Sequence, residues 1–312
     1  MKSAFIGRSV FTHPIRAREQ PACHTEESID VKENGYAHPH TLVQTDWVAS
    51  HNGDTKVRLI EVDVDTTVYD TGHIPSAIGW DWRLDLQRRP IRDVPDRAEW
   101  ETLLSRSGIG NDNLVVLYGD TNNWFAAFAY WLFKLYGHAD VCLMDGGRVK
   151  WVAEGRELTT DSPPFAPTKY QAKQPDRALR AFRDEVAAAL DRPDVSLVDV
   201  RSPKEYSGVL MAPENLPQEG AQRGGHIPGA QNVPWATAVA EDGTFKPAAE
   251  LRTIYGGKGV TTDTETIAYC RIGERSAHTW FVLKELLGHT DVRNYDGSWT
   301  EWGSLIGAPI ER

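Results

Sequence analysis

The sequence predicts an α/β protein made of two copies of one domain, each a parallel sheet flanked by helices. Short apolar runs with the composition of buried strands alternate with longer helical patterns along the chain, and such alternation implies a sheet covered on both faces. The second half of the chain also repeats segments of the first half in the same order. The length of 312 residues is sufficient for two domains that each bury a core.

Three strands and one helix can be assigned in the first half. Residues 56–64 (KVRLIEVDV) and 113–120 (NLVVLYGD) have the pattern of buried strands. Residues 123–138 form an apolar run long enough for a buried helix, with Gly137 placed to end it. Residues 139–147 predict a third strand that runs into a turn.

Four pairs of matching segments define the repeat. They are 59–65 with 195–208, 70–82 with 224–235, 115–119 with 266–270, and 133–151 with 284–302. The last two pairs share one offset of 151 residues without a gap, which chance does not explain. At this offset Tyr118 falls on Tyr269, His138 on His289, Asp145 on Asp296 and Trp151 on Trp302. The chain is therefore predicted to be a tandem repeat.

The two copies differ at the positions that could carry chemistry. The replaced pairs are Gly119 with Cys270, Asp120 with Arg271, and Trp124 with Arg275. We therefore expect an N-terminal extension at 1–40 that is poorly ordered, a non-catalytic N-terminal domain at 41–155, a linker at 156–176 and a catalytic C-terminal domain at 177–312. The linker is rich in proline and polar residues.

Composition excludes several classes of protein. The net charge of -10 argues against a general binder of nucleic acid or of acidic membranes. Three cysteines without a CxxC motif are too few for a disulfide framework, which favours a reducing, cytoplasmic setting. No apolar run approaches the length of a transmembrane helix, and no cluster of side chains has metal-ligand spacing.

The segment around Cys270 predicts an anion-binding nucleophile. Cys270 ends a predicted strand, so it should lie at the edge of the sheet where ligands bind. A helix should follow with Ser276 as its N-cap, so that the loop Arg271–Arg275 turns its backbone N–H groups inward. Such a setting lowers the pKa of a cysteine from about 8.5 to roughly 3.5–7.5. The expected chemistry is attack by a thiolate on an anionic substrate.

The number of residues between Cys270 and Arg275 limits the size of the group that the loop can enclose. Four residues separate Cys270 from Arg275, whereas cysteine phosphatases use a longer cradle. A shorter loop encloses a smaller group, such as a single sulfur atom on the thiolate. Phosphatase or arsenate reductase chemistry is disfavoured for this reason.

Four motifs together resemble the two-domain rhodaneses, the thiosulfate sulfurtransferase family. They are VDVRSPKEYSG, GGHIPGAQNVPW, the loop CRIGERS and the closing YDGSWTEW, within a resemblance that extends over residues 40–312. The resemblance implies two rhodanese-like domains, an active cysteine only in the second, and no cofactor. It also implies a persulfide: Cys270 takes the outer sulfur of thiosulfate, releases sulfite and passes the sulfur to cyanide or a thiol.

The resemblance implies that the whole loop binds substrate. Its members are Arg271, Ile272, Gly273, Glu274, Arg275 and Ser276. The family also uses an arginine near the start of the second domain to hold the substrate anion. We expect Arg180 to fill this role, with Arg183 as the alternative.

The loop composition bears on the sulfur donor. Thiosulfate-type members resemble CRKG and mercaptopyruvate-type members resemble CGSG, so Arg271 favours thiosulfate. Ile272 departs from the lysine that is usual in the animal enzymes, and Glu274 opposes the charge of Arg275. The alternatives are a 3-mercaptopyruvate sulfurtransferase and a persulfide carrier in a sulfur relay.

Overall fold

Each half of the chain folds around its own parallel sheet in the computed structural model, which describes residues 34–163, 165–212 and 220–312. The first sheet has the strand order β1-β5-β4-β2-β3. Its strands are β1 (Leu42–Val43), β2 (Val57–Asp63), β3 (Ile78–Asp81), β4 (Leu114–Tyr118) and β5 (Val141–Met144). The helices of this half are α1 (Thr45–Ser50), α2 (Thr67–Thr71), α3 (Trp82–Asp85), α4 (Arg97–Arg106), α5 (Trp124–Leu135) and α6 (Gly147–Ala153).

The second sheet has four strands in the order β7-β6-β8-β9, which corresponds to β3-β2-β4-β5 of the first sheet. The strand β1 has no counterpart among the described strands of the second half. Its strands are β6 (Val195–Asp199), β7 (Gln231–Asn232), β8 (Glu265–Tyr269) and β9 (Val292–Tyr295). The helices are α7 (Arg183–Ala189), α8 (Pro203–Tyr206), α9 (Ala248–Gly256), α10 (Glu274–Phe281) and α11 (Ser298–Trp302), and a π-helical turn at Val282–Leu286 extends α10. The predicted α/β class with tandem domains is confirmed.

A buried tyrosine in the central strand of each half marks the internal symmetry. Tyr118 in β4 accepts a hydrogen bond from the N–H of Ile74 at 3.2 Å. Tyr269 in β8 accepts the corresponding bond from Ile227 at 3.1 Å. The two tyrosines are separated by the offset of 151 residues found in the sequence. The two halves therefore share this hydrogen bond as well as the matching sequence.

The two halves share one hydrophobic core. Helix α5 buries every residue except Lys134, which explains an apolar pattern that runs around the whole helix. One face of α5 covers its own sheet, and the other meets α10 of the second half, where the rings of Tyr130 and Phe281 are perpendicular with centroids 4.8 Å apart. The two helices therefore seal the boundary between the halves.

Residues 36–38, which the sequence places in the N-terminal extension, are bonded to the second half of the chain. Residues 1–33 lie outside the described residues, but Ala37 and His38 donate their N–H groups to the carbonyls of Leu286 and Glu285. Tyr36 is buried and its hydroxyl donates to the carbonyl of Phe245 at 3.0 Å. Placing 34–40 in a poorly ordered extension was therefore wrong, because a segment this short has no periodicity that sequence patterns can detect. The other predicted domain boundaries stay predictions.

Replacing Phe281 by alanine tests the shared core. We expect a loss of about 3–5 kcal/mol of stability and the division of one unfolding transition into two, since the side chain joins the halves. Ile267→Ala is the matched control, because Ile267 lies in a core formed only by the second half. Calorimetry should show lowered stability but one transition for the control. A single, barely shifted transition for Phe281→Ala would contradict a shared core.

Candidate active site

Cys270 follows the last residue of β8, a strand with neighbours on both sides, and its side chain is fully buried. Its N–H donates to Ser298 Oγ at 3.1 Å, and its carbonyl accepts the N–H of Trp299 at 3.1 Å. These bonds fix the cysteine backbone to the start of α11. The edge of the sheet and the following helix thus define the position of the sulfur, as the sequence predicted.

Helix α10 begins at Glu274, three residues earlier than the predicted N-cap at Ser276 implies. Gly273 is its N-cap, with a left-handed φ of +104°, and a Cβ at this position would lie 2.7 Å from Cα of Asp296. Only glycine can make this turn, and the turn brings the helix directly to the cysteine. Ser276 is therefore not the N-cap; its hydroxyl donates to the Gly273 carbonyl at 3.0 Å from inside the first turn.

Polar groups at the start of α10 contact the sulfur of Cys270. The N–H of Gly273 donates to Sγ at 3.1 Å. On another side, Sγ donates to Oε2 of Glu274 at 3.4 Å. The thiol thus lies between a backbone donor and a carboxylate. The side chain of Cys270 has no exposure to solvent in the described structure.

The expected lowering of the cysteine pKa does not occur in this closed state. Burial raises the pKa of Cys270, and the Glu274 carboxylate raises it further. The pKa is lowered by the charge of Arg275 and by the N–H groups of Gly273 and Ser276, but these effects are smaller, and the net shift is upward. The prediction was wrong because it counted the nearby charges without the loss of hydration and without the orientation of Glu274.

Arg275 forms a buried ion pair with Glu205. Its two terminal nitrogens donate to the two carboxylate oxygens, each at 3.0 Å, and both side chains are almost completely buried. Parallel bonds of this kind fix the plane of the guanidinium. Arg275 was predicted to lie in the loop but lies in the first turn of α10, and a carboxylate from α8 already offsets its charge.

The local sequence of α8 explains the position of Glu205. Ser202 caps this helix: its hydroxyl accepts the N–H of Glu205, while the Glu205 carboxylate accepts the N–H of Ser202 at 3.1 Å. The SPKE tetrad is thus a capping box whose carboxylate also receives Arg275. Burial alone would raise the pKa of Glu205, but the bonds and charge of Arg275, with the Ser202 bonds, lower it to about 2.

Arg271 and Ile272 complete the wall of the loop. Both are buried, and the carbonyl of Arg271 accepts the N–H of Thr300 at 3.0 Å. The carbonyl of Ile272 accepts a bond from Arg92 of the first half, at 3.0 Å. The first half therefore contributes a guanidinium that binds the loop.

Arg180 and Arg183 do not reach the cysteine. Arg180 donates to Asp296 at 2.8 and 2.9 Å and to Asp93 at 2.6 Å, and Arg183 is exposed beside Asp184. Both line a cleft of about 620 Å³ between the halves. Cys270 is not among its lining residues, so this cleft, although the largest of the cavities described, is separated from the sulfur by the Asp296 segment.

Three contributors to the site were missed or undervalued at the sequence level. Ser298 has a left-handed φ of +53° at the position of Gly147, which has +54°. A serine where the other copy has glycine is a signal of strain at a functional site, and the offset of 151 residues could have revealed it. Glu205 and Arg92 are joined to the loop only by tertiary contacts, and no sequence spacing indicates either of them.

Glu205→Gln tests the buried ion pair through its pH dependence. The Glu205 pKa falls from 4.5 to about 2 on folding, so its stabilisation is present above pH 4.5 and is lost as the pH falls towards 2. We expect the wild type to lose about 3 kcal/mol more than the variant across this window, measured by urea unfolding.

Glu185→Gln is the control for this experiment. Glu185 pairs with Arg293 at 3.0 Å but nearly half of its side chain is exposed, so its substitution should change the acid dependence by less than about 1 kcal/mol. Equal acid dependence of the wild type and Glu205→Gln would show that the ion pair does not lower the pKa of Glu205.

Comparison with solved structures shows the fold. The chain superimposes on YnjE with a TM-score of 0.78 at 24% identity, covering 88% of this chain and 69% of that one. It superimposes on an anaerobic ergothioneine biosynthesis enzyme from Chlorobium limicola with a TM-score of 0.77 at 24% identity, covering 88% and 71%.

Comparison with curated proteins shows closer relatives. A protein of Saccharopolyspora erythraea provisionally named thiosulfate sulfurtransferase is 61% identical over 86% of this chain and 95% of its own length. The sulfur carrier protein TtuD of Thermus thermophilus is 55% identical over 89% of this chain and 99% of its own. The family model described as rhodanese-like domain matches residues 44–154 and again 182–305. The chain therefore belongs to the rhodanese family, as a tandem of two rhodanese-like domains.

Proposed function

We propose that the protein is a thiosulfate sulfurtransferase that transfers sulfane sulfur to cyanide or a thiol through a persulfide on Cys270. The observation that carries the proposal is the closed loop around Sγ, which exists only in the second half: the first half has Gly119 at the position of Cys270. The names of the relatives, which all concern sulfur, support the same class of chemistry.

The first half-reaction loads the cysteine. The Cys270 thiolate attacks the outer sulfur of thiosulfate, a sulfur–sulfur bond forms on Sγ, and the bond to the sulfonate sulfur breaks to release sulfite. In the second half-reaction cyanide or a thiol attacks the outer sulfur of the persulfide and leaves with it, which restores the thiolate. The loop provides for the added sulfur the N–H of Gly273 and the charge of Arg275.

The burial of Cys270 sets a condition for both steps. Because Sγ is fully covered, a donor can reach it only after the wall of the loop moves, and the Arg92 bond to the Ile272 carbonyl is the contact with the first half that must break. Closing the site again would keep water from the persulfide. The first half thus serves as the cover of the site.

A persulfide carrier in a sulfur relay is the second candidate. The same burial favours it, since a sulfur that is sealed from small molecules is suited to storage and to transfer between proteins. The relative named sulfur carrier protein supports this candidate as well. A carrier would accept sulfur from a donor protein and would not turn over free thiosulfate.

Cys270→Ser tests the proposed enzyme. We expect the variant to lose release of sulfite from thiosulfate and formation of thiocyanate, because a hydroxyl cannot form the persulfide. Cys142→Ala is the matched control: Cys142 is also buried, and its Sγ donates to the carbonyl of His40. The control should keep its activity. Substantial turnover by Cys270→Ser would contradict the mechanism, and a wild type that is loaded only by a donor protein would favour the carrier.

The donor is tested by a comparison of kcat/KM for thiosulfate and for 3-mercaptopyruvate. The positive charge of Arg271 next to Cys270 favours the small dianion, so we expect thiosulfate to be preferred at least tenfold, a difference of about 1.4 kcal/mol in transition-state binding. A tenfold preference for 3-mercaptopyruvate would assign the protein to the other branch of the family.

A further inference from the structure

Glu274 is the one acidic side chain that contacts the reactive sulfur among the described residues. It is fully buried, with one carboxylate oxygen 3.4 Å from Sγ of Cys270 and the other 3.7 Å from Nε of Arg275. A carboxylate at this place opposes both a thiolate and an anionic donor. The carboxylate raises the pKa of the Cys270 thiol, so its presence beside a nucleophile must have another cause.

Neutralising Arg275 does not explain Glu274. Glu205 already offsets that guanidinium with two bonds at 3.0 Å, and both of them are shorter than the 3.7 Å approach of Glu274. A favourable interaction with the start of α10 is not sufficient either, because an exposed acid would gain it without the cost of burial.

The other half of the chain shows what this position contains when no thiol is present. Asn123 stands at the offset of 151 residues from Glu274. Its amide accepts the N–H of Gly119 at 3.0 Å and donates to the carbonyl of Met144 at 2.7 Å. The scaffold thus needs only a neutral amide here, and the carboxylate occurs in the half that has the cysteine.

We propose that Glu274 is a catalytic residue that accepts the proton of the Cys270 thiol and then gives it to the departing sulfite. The step rests on the proposed sulfurtransferase function. The thiol proton passes to the carboxylate, the thiolate takes the outer sulfur of thiosulfate, and the protonated Glu274 transfers the proton to the leaving group, which departs as hydrogen sulfite. Atoms and charge balance: a thiol and a dianion give a persulfide anion and hydrogen sulfite.

The surroundings of the pair favour an internal transfer of the proton. Moving a proton between the fully buried side chains of Cys270 and Glu274 creates no net charge, whereas ionising the thiol alone would. The charged groups that face the pair are Arg275 on the same helix, Glu205 from α8, Arg271 in the loop, Arg92 from the first half and the Arg180–Asp296 ion pair behind Gly273. None of these is a second carboxylate in contact with Sγ.

The substitution Glu274→Gln distinguishes two roles of this carboxylate, because the two roles predict opposite changes in the reaction rate. If Glu274 only opposed the anions, Glu274→Gln would lower the pKa of the thiol and speed up the reaction. If Glu274 accepts the proton, the same change slows the reaction at and below neutral pH, and the loss is recovered only at alkaline pH, where the thiol ionises by itself.

The first measurement is alkylation of Cys270 by iodoacetamide across pH, which needs no sulfur donor. We expect the wild type to keep a pH-independent rate below the pKa of the thiol, whereas Glu274→Gln should fall tenfold for each pH unit. Glu274→Asp, which keeps the carboxylate on a shorter side chain, should restore the plateau at a lower rate and serves as the test if the amide variant does not fold. Equal plateaus, or faster alkylation of Glu274→Gln at every pH, would overturn the proposal.

The second measurement is single-turnover release of sulfite from thiosulfate at pH 7. We expect Glu274→Gln to be about 100-fold slower, the lower end of what general acid–base catalysis contributes. Glu285→Gln is the control, because Glu285 lies on the π-helical extension of α10 and binds His38 at 3.1 Å away from the sulfur. Loss of the alkylation plateau without any sulfite release from the wild type would disprove the proposed donor and leave the role of Glu274 standing.

Discussion

The buried ion pair between Arg275 and Glu205 is the constraint on which the site depends. It joins the first turn of α10 to the capping box of α8, so that the loop after Cys270 is held at both ends. Removing two charges from water costs free energy, so we attribute to this ion pair a role in fixing one orientation of the Arg275 guanidinium rather than in adding stability. The pair keeps Arg275 beside the sulfur while it removes most of the excess positive charge of the loop. With that charge offset, Glu274 is left to interact with the thiol.

The closed state of the site follows from the way the two halves are packed. Helices α5 and α10 occupy equivalent places in the two copies, and each covers its own sheet on one face and the other helix on the opposite face. The first half cannot be removed without exposing this core. It also provides the Arg92 contact to the Ile272 carbonyl. The first half, which has Gly119 at the position of Cys270, therefore contributes packing and a contact that covers the loop.

The sequence indicated the fold and the position of the nucleophile for a physical reason. Period, strand length and the offset of 151 residues are local or internal properties of the chain, and they placed Cys270 at the end of β8 and Arg275 close after it. The sign of the pKa shift at Cys270 could not be predicted in this way, because it depends on burial and on the rotamer of Glu274. Glu205 and Arg180 illustrate the same limit. The sequence did not indicate that Glu205 binds Arg275 or that Arg180 binds Asp296, because both contacts are tertiary.

The position of the transferred sulfur tests the central claim most directly. The protein would be exposed to thiosulfate and digested without reduction, and its peptides would be weighed before and after treatment with cyanide. The account predicts a gain of one sulfur atom on the peptide that contains Cys270, removed by cyanide, and no gain on the peptides of Cys142 or Cys23. A cyanide-labile sulfur on another cysteine, with the Cys270 peptide unchanged, would contradict it.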